Sequence, residues 1–222
     1  MPAGEKITKE KIIRAVLDSA FDKSVGGTSL ADISEKLGIK KASLYNHYES
    51  RDAMIDDTVS YCADQLRRTN FIPADMVATA QKYPAETVFK GIVNRWFKLN
   101  EKEPLLQVYV FVESEKYFSN QAAAIITETR NKLIDQVVSA LTALSDAQKI
   151  KPVDAATAKE YAVIFASMVR DILDIYLTEK KVQIRSNPET GSDTLFSAIP
   201  ASEPDFSKID TLIEQFCGLL KR

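Results

Sequence analysis

The chain has 222 residues, of which 45% are hydrophobic, so it can bury the core of one large domain or of two small ones. Its net charge of -2 excludes a uniformly basic protein, so a surface that binds nucleic acid would have to be local. A single histidine and two distant cysteines exclude a histidine-based metal cluster, a paired-cysteine zinc motif and a Ser-His-Asp site with a second histidine. We therefore expect no enzymatic activity, no metal and no cofactor.

Membrane insertion and secretion are also disfavoured. The longest apolar run, at about 161–169, is far shorter than the roughly 20 residues that a membrane span needs. The sequence shows neither a signal-peptide pattern nor a disulfide framework, and Cys62 and Cys217 fall in apolar helical patterns typical of core positions. These features predict a cytoplasmic protein.

Helical periodicity dominates the chain, and alternating apolar and polar runs are almost absent. The sequence therefore predicts an all-α protein of about nine helices. Their approximate positions are 8–24, 29–37, a short helix from 40, 51–68, 85–100, a helix from 104, 119–144, 154–181 and 206–220. The stretch before Pro84 is interpreted as irregular, and residues 183–206 as a long polar loop whose role is open.

The second and third predicted helices form a helix-turn-helix. Ser29 is a good N-cap, with Asp32 three residues later completing a capping box. Gly38 ends the second helix, and only a brief turn separates it from the third. Small Ser34 allows the two helices to approach closely. A miniature core is supplied by Ile33, Leu37, Ile39 and Leu44.

Polar side chains suited to DNA crowd the third helix and its end: Lys40, Lys41, Ser43, Tyr45, Asn46 and His47. Lysine can donate to guanine and asparagine can bond adenine, whereas Tyr45 and His47 are better suited to phosphates. The alternative is that His47 is an ordinary surface residue and that Tyr45 and Tyr48 only pack. Residues 1–51 carry nine positive and seven negative side chains. This modest excess of positive charge has the sign expected of a surface that binds DNA.

The segment "TSLADISEKLGIKKASLYNHYESRDAMI" resembles the signature of the TetR family of bacterial transcriptional regulators. The similarity covers roughly residues 8 to 60 and includes the spacing of Leu37-Gly38-Ile39, Leu44-Tyr45-Asn46-His47-Tyr48 and Ser50-Arg51-Asp52. Alanine stands at position 42, where glycine is frequent in the family, and this departure bears on which operator is recognised.

This resemblance implies an N-terminal three-helix DNA-binding domain, residues 1–51, and a C-terminal helical domain for ligand binding and dimerisation, residues 52–222. Members are homodimers that bind palindromic operators. By the resemblance, Tyr45, His47 and Arg51 contact phosphates, and the backbone near Thr28 and Ser29 abuts the DNA. Bases are then faced by Lys40, Lys41, Ser43 and Asn46.

The C-terminal region offers aromatic and soft side chains that suit an apolar ligand pocket, although each could be ordinary core. Asp171 is a charge within an apolar stretch, where it could anchor a ligand, form an ion pair or lie exposed. The residues selected as ligand-binding are Trp96, Tyr109, Phe111, Tyr117, Met168 and Asp171.

The last two long helices, about 154–181 and 207–220, could form a four-helix bundle with a second copy, or could only pack within one chain. The prediction is thus a homodimeric regulator, a repressor of a palindromic operator that a small-molecule effector releases. Two alternatives stay open: a ligand-independent architectural or nucleoid-associated DNA-binding dimer, and an all-α small-molecule-binding protein.

Overall fold

The computed structural model describes residues 6–101, 103–186 and 206–221, and across these ranges it contains helices and no strand. This confirms the predicted all-α class. The described ranges hold ten helices: α1 (Lys9–Lys23), α2 (Leu30–Leu37), α3 (Lys41–Leu44), α4 (Arg51–Arg68), α5 (Met76–Lys82), α6 (Ala85–Asn100), α7 (Leu105–Glu115), α8 (Asn120–Asp146), α9 (Ala155–Ser186) and α10 (Phe206–Leu220).

Most helix ends lie within two residues of their predicted positions, with two exceptions. Helix α5 occupies part of the stretch that was predicted to be irregular, and its N-cap Asp75 accepts a hydrogen bond from the amide of Ala78 at 2.9 Å. Helix α9 continues to Ser186, so the predicted loop begins later than position 183. The rest of that loop, 187–205, lies outside the described residues.

One compact unit contains residues up to Thr69 together with Glu103–Thr129. Within it α1 packs against α2, α4 and α7, and α4 also packs against α7. The centre of this unit combines fully buried Ile12, Val16, Ile33 and Leu44 with Phe111, which is 2% exposed. The three N-terminal helices α1, α2 and α3, called the head below, are therefore stabilised by a core that includes side chains from α7, a helix distant in sequence.

The second compact unit contains residues 70–102 and 130–222. Its core includes three phenylalanines from α6, α9 and α10. The centre of the Phe89 ring lies 4.9 Å from that of Phe165 and 5.2 Å from that of Phe216. The ring centres of Phe165 and Phe216 are 5.1 Å apart. Lys90 on α6 adds an ion pair with Glu214 on α10 at 3.0 Å. These contacts tie the three helices together.

The compact units do not follow the predicted domain division at residue 51, because α4, α7 and the first part of α8 pack with the three-helix head. The assignment of DNA binding to residues 1–51 stays a prediction. Both cysteines are free and buried, as expected for core positions. None of the helices in the described ranges has the length and apolar character required to cross a membrane.

Candidate nucleic-acid interface

The turn between α2 and α3 is fixed by Gly38, which has φ of 64°. Only glycine adopts this left-handed conformation without steric cost. The amide of Gly38 donates to the carbonyl of Glu35 at 3.0 Å, and the amide of Ile39 donates to that of Ser34 at 3.0 Å. This is the Schellman arrangement that closes a helix end. The angle between the two helices is therefore set by backbone bonds.

The start of α2 is closed by the predicted capping box. The amide of Asp32 donates to the Ser29 hydroxyl at 3.2 Å, and the amide of Ser29 donates to the Asp32 carboxylate at 2.7 Å. Lys23 and Ser29 both donate to Asp32, which holds the pKa of this carboxyl well below its usual range. The first-turn amides of Leu30 and Ala31 precede the first intrahelical bond, so they are the backbone donors that this end can offer to an anion.

Helix α3 presents its polar side chains to solvent while one residue anchors it. Leu44 is fully buried, and the amides of His47 and Tyr48 donate to its carbonyl at 3.0 and 3.1 Å. Tyr45 is 54% exposed. Lys40, Lys41 and Asn46 are exposed as well, whereas Ser43 and His47 are half-buried. The predicted base-facing residues thus lie on α3 and on the residues that flank it, and a core leucine anchors this segment.

Tyr48 belongs to the core of the first unit. Its side chain is 5% exposed and its hydroxyl donates to the Asp57 carboxylate at 2.6 Å. Burial, with help from Asp57, raises the pKa of Tyr48. The ammonium of Lys9 lies 4.8 Å from the centre of the same ring. Tyr48 therefore links the end of α3 to α4 and leaves Tyr45 as the exposed aromatic residue of the pair.

Arg51, predicted to contact a phosphate, has donors directed into the protein. Its Nε donates to the carbonyl of Thr28 at 2.9 Å and its Nη2 donates to the carbonyl of Val25. The Thr28 side chain is buried, and its hydroxyl donates to the carbonyl of Ser24 at 2.7 Å. Thr28 thus supports the loop before α2, and Ser29 follows it as the exposed N-cap.

A family model described as bacterial regulatory proteins, tetR family, matches residues 12–58, which extend from α1 into α4. Residues 12–58 therefore match the DNA-binding head of the TetR family, as the resemblance predicted. The matched residues include the whole of the α2–turn–α3 segment and Arg51.

Two curated relatives in this family act on the same operon. The negative transcriptional regulator IcaR of the biofilm operon icaADBC from Staphylococcus aureus (strain Newman) is 29% identical over 112 residues, which are 50% of this chain and 58% of the relative. IcaR from Staphylococcus epidermidis is 41% identical over 54 residues, 24% of this chain and 29% of the relative. The matched regions therefore span less than two thirds of either relative.

Solved structures show that the TetR fold extends beyond the head. A candidate TetR-family regulator from Mesorhizobium loti has a TM-score of 0.58 at 16% identity and covers 96% of both chains. AibR, solved in complex with isovaleryl coenzyme A and operator DNA, has a TM-score of 0.52 at 18% identity and covers 75% of this chain and 85% of its own. At such identities the likeness concerns the fold alone.

The six residues predicted to bind a ligand occupy different environments. Within the first unit, Phe111 is core at 2% exposure, Tyr117 is 80% exposed and Tyr109 is half-buried. Within the second unit, Trp96 is buried with its ring 5.3 Å from that of Phe71, Met168 is half-buried and Asp171 is exposed. The ligand-binding role of these six residues stays a prediction.

A groove of about 560 Å³ lies within the first unit, and none of the six residues lines it. Its walls come from the loop after α1, the start of α4 and the end of α7, and include Arg51, Ile55, Asp56, Glu115 and Phe118. Burial raises the pKa of Glu115, and nearby Arg51 opposes that shift. The groove could not be predicted from the sequence, because it is formed by segments far apart in the chain.

Proposed function

We propose that this protein is a transcriptional repressor that binds a palindromic operator as a homodimer and is released by a small-molecule effector. The observation that carries the proposal is the exposure of Lys40, Lys41, Tyr45 and Asn46 on α3 and the residues that flank it, a segment anchored by buried Leu44. Side chains that meet base edges must project from a rigid support, and α3 supplies both parts.

The DNA contacts follow from the chemistry of each exposed group. Lys40, Lys41, Ser43 and Asn46 face bases, because lysine donates to guanine and asparagine pairs with adenine in the major groove. Tyr45 and His47 donate to phosphates. The amides at the start of α2, next to Ser29, hold a further phosphate where the helix dipole favours negative charge.

The dimer contact is formed by α9 and α10. Ile164, Ile175 and Val182 on α9 are 49%, 53% and 59% exposed, and half-buried Met168 lies seven residues before Ile175. Spacings of four and seven residues place these side chains on one side of the helix. Leu219 on α10 is also 50% exposed. A second copy related by two-fold symmetry brings the same apolar stripe to meet this one.

The effector acts through a difference in affinity between two states of the dimer. AibR, a protein of this fold, was solved in complex with both isovaleryl coenzyme A and operator DNA, which supports an effector site in a DNA-binding protein of this fold. A ligand that binds better when the heads are incorrectly spaced for the operator weakens DNA binding by the same factor. The ligand-binding residues proposed from sequence are Trp96, Tyr109, Phe111, Tyr117, Met168 and Asp171.

The test is binding of the purified protein to fragments of its source genome at two salt concentrations. We expect a few palindromic sites, with affinity that falls as salt rises because phosphate contacts release counterions. Sequence-independent binding that disappears with added salt would instead favour an architectural role. Addition of candidate effectors to the selected fragment then measures release.

The role of α3 is tested by the double substitution Tyr45→Ala and His47→Ala. Each side chain loses about 1 kcal/mol of hydrogen bonding in each of the two heads, so operator affinity should fall roughly a thousandfold. Tyr83→Ala is the matched control, because Tyr83 is an exposed tyrosine in the second unit. Unchanged affinity in the double variant would contradict the proposal and favour a small-molecule-binding protein.

A further inference from the structure

We propose that Arg51 is a positioning residue that ties the start of α4 to the loop before α2, and that it sets the placement of the recognition segment without itself contacting DNA. This inference rests on the proposed function, since it concerns how the head is held for operator binding. It assigns Arg51 a different role from the phosphate contact that the sequence pattern suggested.

The geometry is a fork between one guanidinium and two backbone carbonyls. Nε of Arg51 donates to the carbonyl of Thr28 at 2.9 Å, and Nη2 donates to the carbonyl of Val25. These acceptors are 23 and 26 residues away in sequence. The two donors have fixed relative directions because the guanidinium is planar. The side chain is 31% exposed, so the bonds are partly shielded from water.

The loop that receives the fork has little freedom of its own. The amide of Thr28 donates to the carbonyl of Val25 at 3.2 Å, which therefore accepts from both Thr28 and Arg51. Ser24 has φ of 70°, and a Cβ added to Gly27 would lie 2.3 Å from the carbonyl oxygen of Lys23. Arg51 thus binds a closely constrained turn. Because the turn does not deform easily, a displacement of Arg51 moves the residues that follow the turn.

The turn leads directly into the DNA-facing elements. Thr28 is followed by Ser29, the N-cap of α2, and α2 leads through Gly38 into α3. Both ends of α2 are closed by capping bonds, so a displacement of the turn carries α2 and the start of α3 with it. Arg51 is the first residue of α4. A shift of α4 therefore reaches the recognition segment through this fork as well as through the core.

The first experiment compares operator affinity and its salt dependence in Arg51→Lys and Lys41→Gln. Lysine keeps the charge but lacks the planar pair of donors, so Arg51→Lys should lose affinity about tenfold while the slope of log K against log salt stays unchanged. Lys41→Gln removes a DNA contact from each head, so its slope should become shallower by up to about 1.8. Binding to non-specific DNA should be unchanged in Arg51→Lys, because only the placement of the heads is altered.

The second experiment needs no DNA. Hydrogen exchange at the Thr28 amide should become at least tenfold faster in Arg51→Lys and in Arg51→Gln, because the turn loses its external support. Lys41→Gln is the control and should leave Thr28 exchange unchanged. Thermal melting of each variant establishes the temperature at which the measurements are made, and if Arg51→Gln fails to fold, Arg51→Lys carries the comparison.

The outcomes separate this inference from the proposed function. If the unmodified protein binds no genomic fragment, the proposed function fails, while faster Thr28 exchange still establishes the fork. If Arg51→Lys retains full operator affinity and Arg51→Gln makes the salt slope shallower by about 1.8, Arg51 contacts phosphate and the inference is wrong. Unchanged Thr28 exchange in both Arg51 variants would also overturn it.

Discussion

Two surfaces of this protein expose opposite chemistries. Helix α3 and the residues on either side of it present Lys40, Lys41 and Asn46, whereas α9 presents Ile164 and Ile175. The first set suits a hydrated polyanion, and its binding must weaken as salt rises. The second set is stabilised by removal from water, so its binding must depend on protein concentration and little on salt. Under the proposed function, the two surfaces serve different partners, DNA and a second copy of the chain.

The largest effect is expected from the double substitution Ile164→Glu and Ile175→Glu on α9. Four carboxylates would then enter the proposed dimer interface, and the dimer dissociation constant should rise at least about a thousandfold because buried unpaired charges are costly. Sedimentation across a range of protein concentrations measures the change.

Val77→Glu is the matched control for that substitution, because Val77 is 63% exposed but lies on α5. It should leave the dimer intact. If the α9 variant sediments as the unmodified protein does, the apolar stripe is not the interface and the comparison between the two surfaces breaks down.

An intermediate effect is expected at the turn that supports the polar surface. Gly27→Ala should lower the free energy of unfolding by about 2 kcal/mol, because the new Cβ would lie 2.3 Å from the Lys23 carbonyl oxygen and the backbone must shift. Gly26→Ala is the control, since a Cβ there meets nothing within 4 Å. Denaturant unfolding of the two variants should separate them, and equal stabilities would contradict the described turn.

The smallest effect is expected at Asp18 on α1. Burial raises the pKa of Asp18 to about 6, Lys36 acts against the shift, and Glu103 and Asp22 add to it. Nε2 of Gln107 donates to this carboxyl at 3.4 Å, and Oε1 of Gln107 has no partner among the described residues. A protonated Asp18 can supply the proton that this oxygen lacks.

The folded state therefore binds the Asp18 proton more tightly than the unfolded state does. The free energy of unfolding should fall as the pH rises from about 4 to about 6 and should then level off. Asp18→Asn should flatten this part of the profile and stabilise the protein by about 1 to 2 kcal/mol at pH 7, a figure reduced for partial exposure. Asp22→Asn, at an exposed position on the same helix, removes only a minor contributor to the shift and should retain most of the slope, and an unaltered slope in Asp18→Asn would contradict the assignment.

The sequence was most informative where local bonds determine the structure. Ser29, Asp32 and Gly38 act on backbone within five residues of themselves, so the ends of α2 could be predicted from residue types alone. Helix α5 carried the same kind of signal in its N-cap Asp75, but the surrounding turn residues obscured it. Local chemistry thus accounts for the helix-turn-helix and for most helix boundaries.

Features that depend on distant packing could not be predicted in this way. Phe111 and Tyr117 are both aromatic, yet Phe111 is core and Tyr117 is 80% exposed. Residue type alone does not specify whether another segment of the chain covers a side chain. The carbonyls that Arg51 binds carry no sequence signal. Ile164 lies in a stretch that is apolar nearly all round, so its exposure required knowledge of its neighbours.

The most direct test of the central claim is hydroxyl-radical footprinting of the protein with and without the genomic fragment that it selects. The account predicts protection of Lys40, Lys41, Tyr45 and Asn46 in the complex, with the dimer surface of α9 equally protected in both samples. Full reactivity of the α3 side chains on bound DNA would show that the protein binds through another surface, and the proposed function would then be wrong.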